Sequence, residues 1–188
     1  MLEKCIAIDK EVFIFLNSLG SETYDNLWLH ITQQLYWTPL FLIVFYLLQK
    51  KIGPKNLLIL LLFIAGIILV CDQTANIFKN GVQRLRPCND PEIKDIIRVV
   101  KSSSSFRFFS GHATNSMATT VFVFLIFKKY YKYGLLLFVF PLIFAYSRIY
   151  LGLHFPIDIL TGYAVGAIFG FLFYELHEYL QPKYFPRV

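Results

Sequence analysis

Between Asn56 and Phe78 the chain carries a single charged residue, Asp72, in an otherwise almost unbroken apolar run. A stretch of this length and character is what a helix needs to cross the hydrocarbon core of a bilayer, about 20 residues at 1.5 Å each. Similar runs recur from about Leu27 to Leu48, Gly111 to Phe127, Tyr133 to Tyr150, and from Pro156 to about Leu176. With 56% hydrophobic and only 16% charged residues in 188, no length remains for a separate soluble domain. The expected fold is all-α: one domain spanning 1–188, a polytopic membrane helical bundle of about five transmembrane helices. His30, Gln33 and Gln34 weaken the first half of the first span.

Two further segments read as helices lying at the interface. Leu2, Cys5, Ile6, Val12, Phe13 and Leu16 form one stripe, with Glu3, Lys4, Lys10 and Glu11 largely off it. After a helix start at Asp90 and Pro91, Ile93, Ile96, Ile97 and Val100 give a second apolar face, inside a polar loop running from Lys79 to Arg107. Gly162, Gly166 and Gly170 make a small-residue seam along the last span, where another helix packs closely.

The net charge of +6 fits membrane flanks and phosphate groups better than nucleic acid. Lys50, Lys51 and Lys55 in one short loop, and Lys128, Lys129 and Lys132 in another, place those loops on the cytoplasmic side by the positive-inside rule. The 79–107 loop and the 147–158 segment then face outward. Cys5, Cys71 and Cys88 lack the spacing of a zinc site or a disulfide framework, and a Cys5–Cys88 bridge is not expected. The acidic, interrupted N-terminus does not resemble a cleaved signal peptide.

Three polar clusters fall on that outward face. The first is Lys79 and Arg86, seven residues apart and therefore on one helical face, with Pro87 to stop the helix. The second is Ser110-Gly111-His112 at the start of the third span: Ser110 is a helix cap, and Gly111 lets an anion approach the free amides of the first turn. In the third, Pro156 at the first helical position makes Phe155 the cap. Asp158 then sits where it reaches back toward His154 and fixes its tautomer, with Arg148 across a short loop.

Taken together, the clusters supply three cations, two histidines and an acid, the set that phosphoryl transfer without a metal requires. Phosphate-monoester hydrolysis asks for roughly 20 kcal/mol of barrier reduction or more. One charge-assisted hydrogen bond supplies about 1.5–3 kcal/mol, so a ring of donors is needed.

Lys79-x6-Arg86-Pro87, Ser110-Gly111-His112 and Ser147-Arg148-x5-His154-x3-Asp158 resemble, in order, the three signature motifs of the type 2 phosphatidic acid phosphatase superfamily. The resemblance implies that His154 attacks phosphorus, that Asp158 orients it, and that His112 protonates the leaving group and later activates water. Lys79, Arg86, Arg148, Ser110 and the Gly111 amide would hold the phosphate oxygens, with no metal or other cofactor. It further implies a bacterial inner-membrane enzyme whose partners are the bilayer and a lipid phosphate: undecaprenyl diphosphate, phosphatidylglycerol phosphate, phosphatidic acid or a lipid A phosphate. A lipid-to-lipid phosphotransferase would share the same intermediate, whereas an anion channel would need polar groups at the midplane. Phe109 stands where the family usually has proline. Asp72, seven residues before Lys79, is expected to pair with Lys79 or an arginine of the site, or else to serve helix packing.

Overall fold

The computed structural model describes residues 2–82, 84–103 and 108–184, with the side chains of 3–78, 84–103 and 108–181. Helices and turns account for all of its regular structure, and no strand occurs among the described residues. The helices are α1 (Leu2–Ser18), α2 (Glu22–Ile31), α3 (Thr38–Val82), α4 (Gly111–Phe127), α5 (Val139–Tyr150) and α6 (Pro156–Tyr184). Short 3₁₀ turns precede α3 at Gln34–Trp37 and α5 at Gly134–Phe138.

Gln34–Phe78 and Pro156–Gln181 are long and apolar enough to cross a bilayer, and Gly111–Phe127 and Gly134–Tyr150 are shorter apolar helices. A straight helix of 45 residues would be about twice as long as the hydrocarbon core is thick. α3 is not straight. Gly53 adopts φ 78°, a conformation open to glycine, and Pro54 follows it, so the chain breaks there into two arms. Val44 and Leu48 of the first arm share one core with Leu60, Ile64 and Ile67 of the second and with Phe122 and Val123 of α4. Leu58, Leu62 and Leu69 of α3, and Leu160, Ile168 and Leu172 of α6, are exposed, as lipid-facing positions are.

Two expectations need correction. The first apolar helix does not begin at Leu27: residues 27–31 end α2, and α3 starts at Thr38. Gln33 turns to extended backbone, and the indole of Trp37 donates to the Ile31 carbonyl (2.8 Å), sealing the break. The second interfacial helix also fails to form. Asp90 caps the expected start, accepting from Glu92 N–H (3.0 Å), but only turns follow from Pro91 onward. The backbone there is claimed by another element: Arg98 N–H donates to Asn17 Oδ1 of α1 (2.8 Å), while Ile93 is buried against Phe13 and Ile149.

α4 lies at the centre, packed along α6 through the glycine seam. A Cβ on Gly166 would stand 2.5 Å from the Thr114 carbonyl oxygen, and one on Gly162 2.9 Å from that of Ser110, so only glycine permits this approach. The seam runs up to the start of α4. It thereby sets the end of α4 that carries Ser110 and His112 beside the end of α6 that carries Asp158.

Candidate active site

The 147–158 segment is built by its own backbone. α5 ends at Tyr150, and the carbonyl of Arg148 accepts from both Leu153 N–H (2.9 Å) and His154 N–H (3.3 Å), folding the loop tightly back. α6 then starts at Pro156. Asp158 Oδ2 accepts from Phe155 N–H (3.0 Å) in the expected cap arrangement, and the same oxygen stands 3.5 Å from His154 Nδ1. That separation is within ion-pair reach and longer than a formed hydrogen bond. Both side chains are almost completely buried, His154 at 1% and Asp158 at 2% exposure.

The other two clusters converge on this loop. Ser110 caps α4, its hydroxyl accepting from Ala113 N–H (3.3 Å), while its own N–H donates to the Asp158 carbonyl (3.1 Å). Arg86 is buried and donates through Nη1 to the Leu153 carbonyl (3.2 Å). Arg148, also buried, donates to the hydroxyl of Thr32 at the end of α2 (2.7 Å). His112 follows Gly111 in the first turn of α4, and its ring stacks on Phe144 of α5 (5.2 Å between centroids). Lys79 lies in the last turns of α3, and its side chain is outside the described residues. Ser110, Gly111, Arg86, Arg148, His154 and Asp158 are thus gathered at one end of the bundle by hydrogen bonds onto the backbone of the 147–158 segment.

Sequence reasoning missed two charged residues. Arg84 donates through Nη1 to Asp158 Oδ1 (2.7 Å) and through Nη2 to Asp9 Oδ2 (2.7 Å), and its guanidinium lies 4.3 Å from the centre of the Phe155 ring. Asp9 also accepts from Ile157 N–H (2.9 Å). Asp9 sits among Cys5, Val12 and Phe13 on the apolar stripe of α1, and an acid on such a stripe was the available signal. Arg84 gave none, being one more cation in a basic loop.

Asp72 accepts from Asn115 Nδ2 (2.8 Å), joining α3 to α4 as the helix-packing alternative has it, while Arg84 and Arg86 bond other residues and the expected pairing with the Lys79 side chain lies outside the described residues. Phe109, in place of proline, is buried against Phe78 of α3 (5.6 Å), an aromatic wedge before the cap. Cys5, Cys71 and Cys88 are free. Against partial burial, which works to lower it, the carboxylates of Asp90 (2.8 Å) and Glu92 (2.7 Å) raise the Lys10 ammonium above its usual range and tie α1 to the 90–92 turn.

These features define an all-helical membrane protein with Asp9, Arg84, Arg86, Arg148, His154 and Asp158 folded into one polar end. The chain belongs to the PAP2 superfamily, whose profile matches residues 54–182. It is 33% identical over 188 residues to a lipid A 4'-phosphatase of Bacteroides thetaiotaomicron, covering 97% of this chain and 83% of that one. A lipid A 4'-phosphatase of Porphyromonas gingivalis is 29% identical, covering 97% and 78%. The fold is also that of a PAP2 type phosphatidylglycerolphosphate phosphatase of Bacillus subtilis: TM-score 0.70 at 20% identity, covering 94% of this chain and 88% of that one.

Proposed function

We propose that the protein is a lipid phosphatase that hydrolyses the 4'-phosphate of lipid A through a phosphohistidine intermediate at the outer membrane interface. The observation that carries the mechanism is the His154–Asp158 pair in the cap of α6, with the Ser110 and Arg86 loops hydrogen-bonded to the same segment. The substrate follows the printed names of the two relatives, each aligned with 97% of this chain.

With Asp158 facing Nδ1, the Nε2 of His154 is the attacking atom. A P–N bond forms as the P–O bond to the lipid breaks, and His112 gives its proton to the leaving oxygen. His112 then takes a proton from water as the water oxygen attacks phosphorus, and the P–N bond breaks to release inorganic phosphate. Arg86, Arg148, Lys79, Ser110 and the Gly111 amide stabilise the charge on the equatorial oxygens. No step calls on a metal, so EDTA is expected to leave turnover unchanged.

The two arms of α3, α4, the Gly134–Tyr150 segment and α6 make five crossings, with the lysine-rich turns around residues 50–55 and 128–132 cytoplasmic and the site outward. A cavity of about 210 Å³, lined by Phe41, Phe45, Leu61, Ile64 and Ile68 and reaching Asn115 one turn along α4 from His112, supports an apolar tail beside the site.

Phosphate release by detergent-purified enzyme from lipid A, undecaprenyl diphosphate and phosphatidic acid tests the proposal. Lipid A should be the preferred substrate, and His154→Ala should lower turnover by about 10⁴-fold or more. Retained turnover in that variant contradicts the mechanism, and a clear preference for another lipid contradicts the substrate.

A further inference from the structure

We propose that Asp9, on the N-terminal helix, is a positioning residue of the site: together with Arg84 it holds Asp158 and the start of α6 in register with His154. This inference rests on the reading of His154 as nucleophile.

Asp9 is almost fully buried, and its two carboxylate oxygens have different partners: Oδ1 takes the Ile157 N–H (2.9 Å) and Oδ2 takes Arg84 Nη2 (2.7 Å). The Ile157 N–H is one of the first-turn amides that no helix satisfies from within. Two carboxylates therefore cap α6, Asp158 from its own first turn and Asp9 from a helix nearly 150 residues away in sequence. The guanidinium fork of Arg84 joins them, with one nitrogen on each acid.

Packing makes the unit rigid. Arg84 lies over the ring of Phe155, and Phe155 meets the fully buried Phe13, one turn beyond Asp9 on α1, edge to face at 5.3 Å. A carboxylate is costly to bury, and a serine could cap Ile157 equally well. Holding Arg84 at the same time requires the acid. Charge gives this a consequence for the chemistry: a cation shared between two carboxylates is held less tightly to Asp158 than one paired with it alone. Without Asp9, Arg84 would pair with Asp158 alone and draw it away from the imidazole. Arg86 and Arg148, the other described cations of the site, are anchored to the Leu153 carbonyl and to Thr32, and do not replace Arg84 in this bridge.

A residue that serves only to dock α1 would affect folding and not turnover. The test is steady-state phosphate release from lipid A in detergent, with thermal unfolding of every variant recorded. Asp9→Asn should lower kcat at least about tenfold while KM stays within about twofold, because the phosphate-binding groups are untouched. Lys10→Ala, which loosens a different tether of α1, should keep the wild-type kcat. The double variant Asp9→Asn/Arg84→Lys should be no slower than the slower single variant, since both substitutions break one bridge. Wild-type kcat in Asp9→Asn, an equal loss in Lys10→Ala, or multiplicative losses in the double variant would each overturn the proposal. Should Asp9→Asn not fold, Arg84→Lys decides alone: a lysine lacks the fork to bridge both acids, so a wild-type kcat there is equally contrary. An active His154→Ala would sink the reading of the nucleophile, whereas an inactive His154→Ala beside an unimpaired Asp9→Asn would sink only the role of Asp9.

Discussion

Asn17 organises the loops of the polar end by binding their backbone atoms alone. Its amide nitrogen donates to the carbonyls of Arg98, Ile149 and Tyr150 (3.0, 3.1 and 3.1 Å), and its oxygen accepts from Arg98 N–H, with the side chain 1% exposed. Truncation to alanine strands buried backbone groups, each at a cost of about 1–3 kcal/mol. Asn17→Ala should therefore lower the unfolding temperature of detergent-purified protein by roughly 5–10 °C, and an unchanged temperature would show that these bonds are replaceable. At this scale the motif residues were legible because spacing fixed their geometry: Pro156 set the start of α6, and with it the reach of Asp158. Arg84, Asn17 and Thr32 were not, because their partners lie roughly 70 to 130 residues away and no local pattern encodes a contact at that distance; Asp9 showed only as an acid on an apolar stripe, which does not name its partners.

Among the elements, α4 and α6 form the frame on which the site is hung. The glycine seam brings their axes close enough for Ser110 N–H to reach the Asp158 carbonyl, so packing in the apolar region sets distances in the polar one. Gly166→Leu should force the helices apart, at a cost of about 1–3 kcal/mol or more, and reduce both folded yield and activity. Ile168→Ala, on an exposed position of the same helix, should leave both near wild type. Similar losses from the two substitutions, measured by size-exclusion yield and phosphate release, would contradict the seam. The sequence pattern supports close packing here because three glycines at intervals of four have one shared face. It misplaces the start of the first apolar helix, since Leu27–Ile31 is apolar enough for a span and the break at Gln33 depends on tertiary contacts. The 90–98 segment likewise carries a helical pattern, but Asn17 competes successfully for its backbone.

Over the whole molecule, lysines collect around Gly53 and after α4, where Lys129 pairs with Glu178 beside the buried His177. Buried Arg86, Arg148, His154 and Asp158 lie at the opposite ends of α3, α5 and α6, joined by Asp9 of α1. The apolar surface between them matches a bilayer, and the fold gives the polar end a rigid floor of Phe13, Phe155, Ile149 and Ile159. On this account α1 belongs to the site as much as to the membrane surface, since Asp9, Phe13 and Asn17 follow one another at intervals of four and each holds a loop of the polar end. The central claim is covalent chemistry at His154, and rapid quench under alkaline conditions with lipid A bearing a radiolabelled 4'-phosphate tests it most directly. Label should appear on the protein within a turnover, be lost in acid as a phosphohistidine is, and map to His154. Full turnover with no labelled protein at any quench time, or label on another residue, would contradict the account.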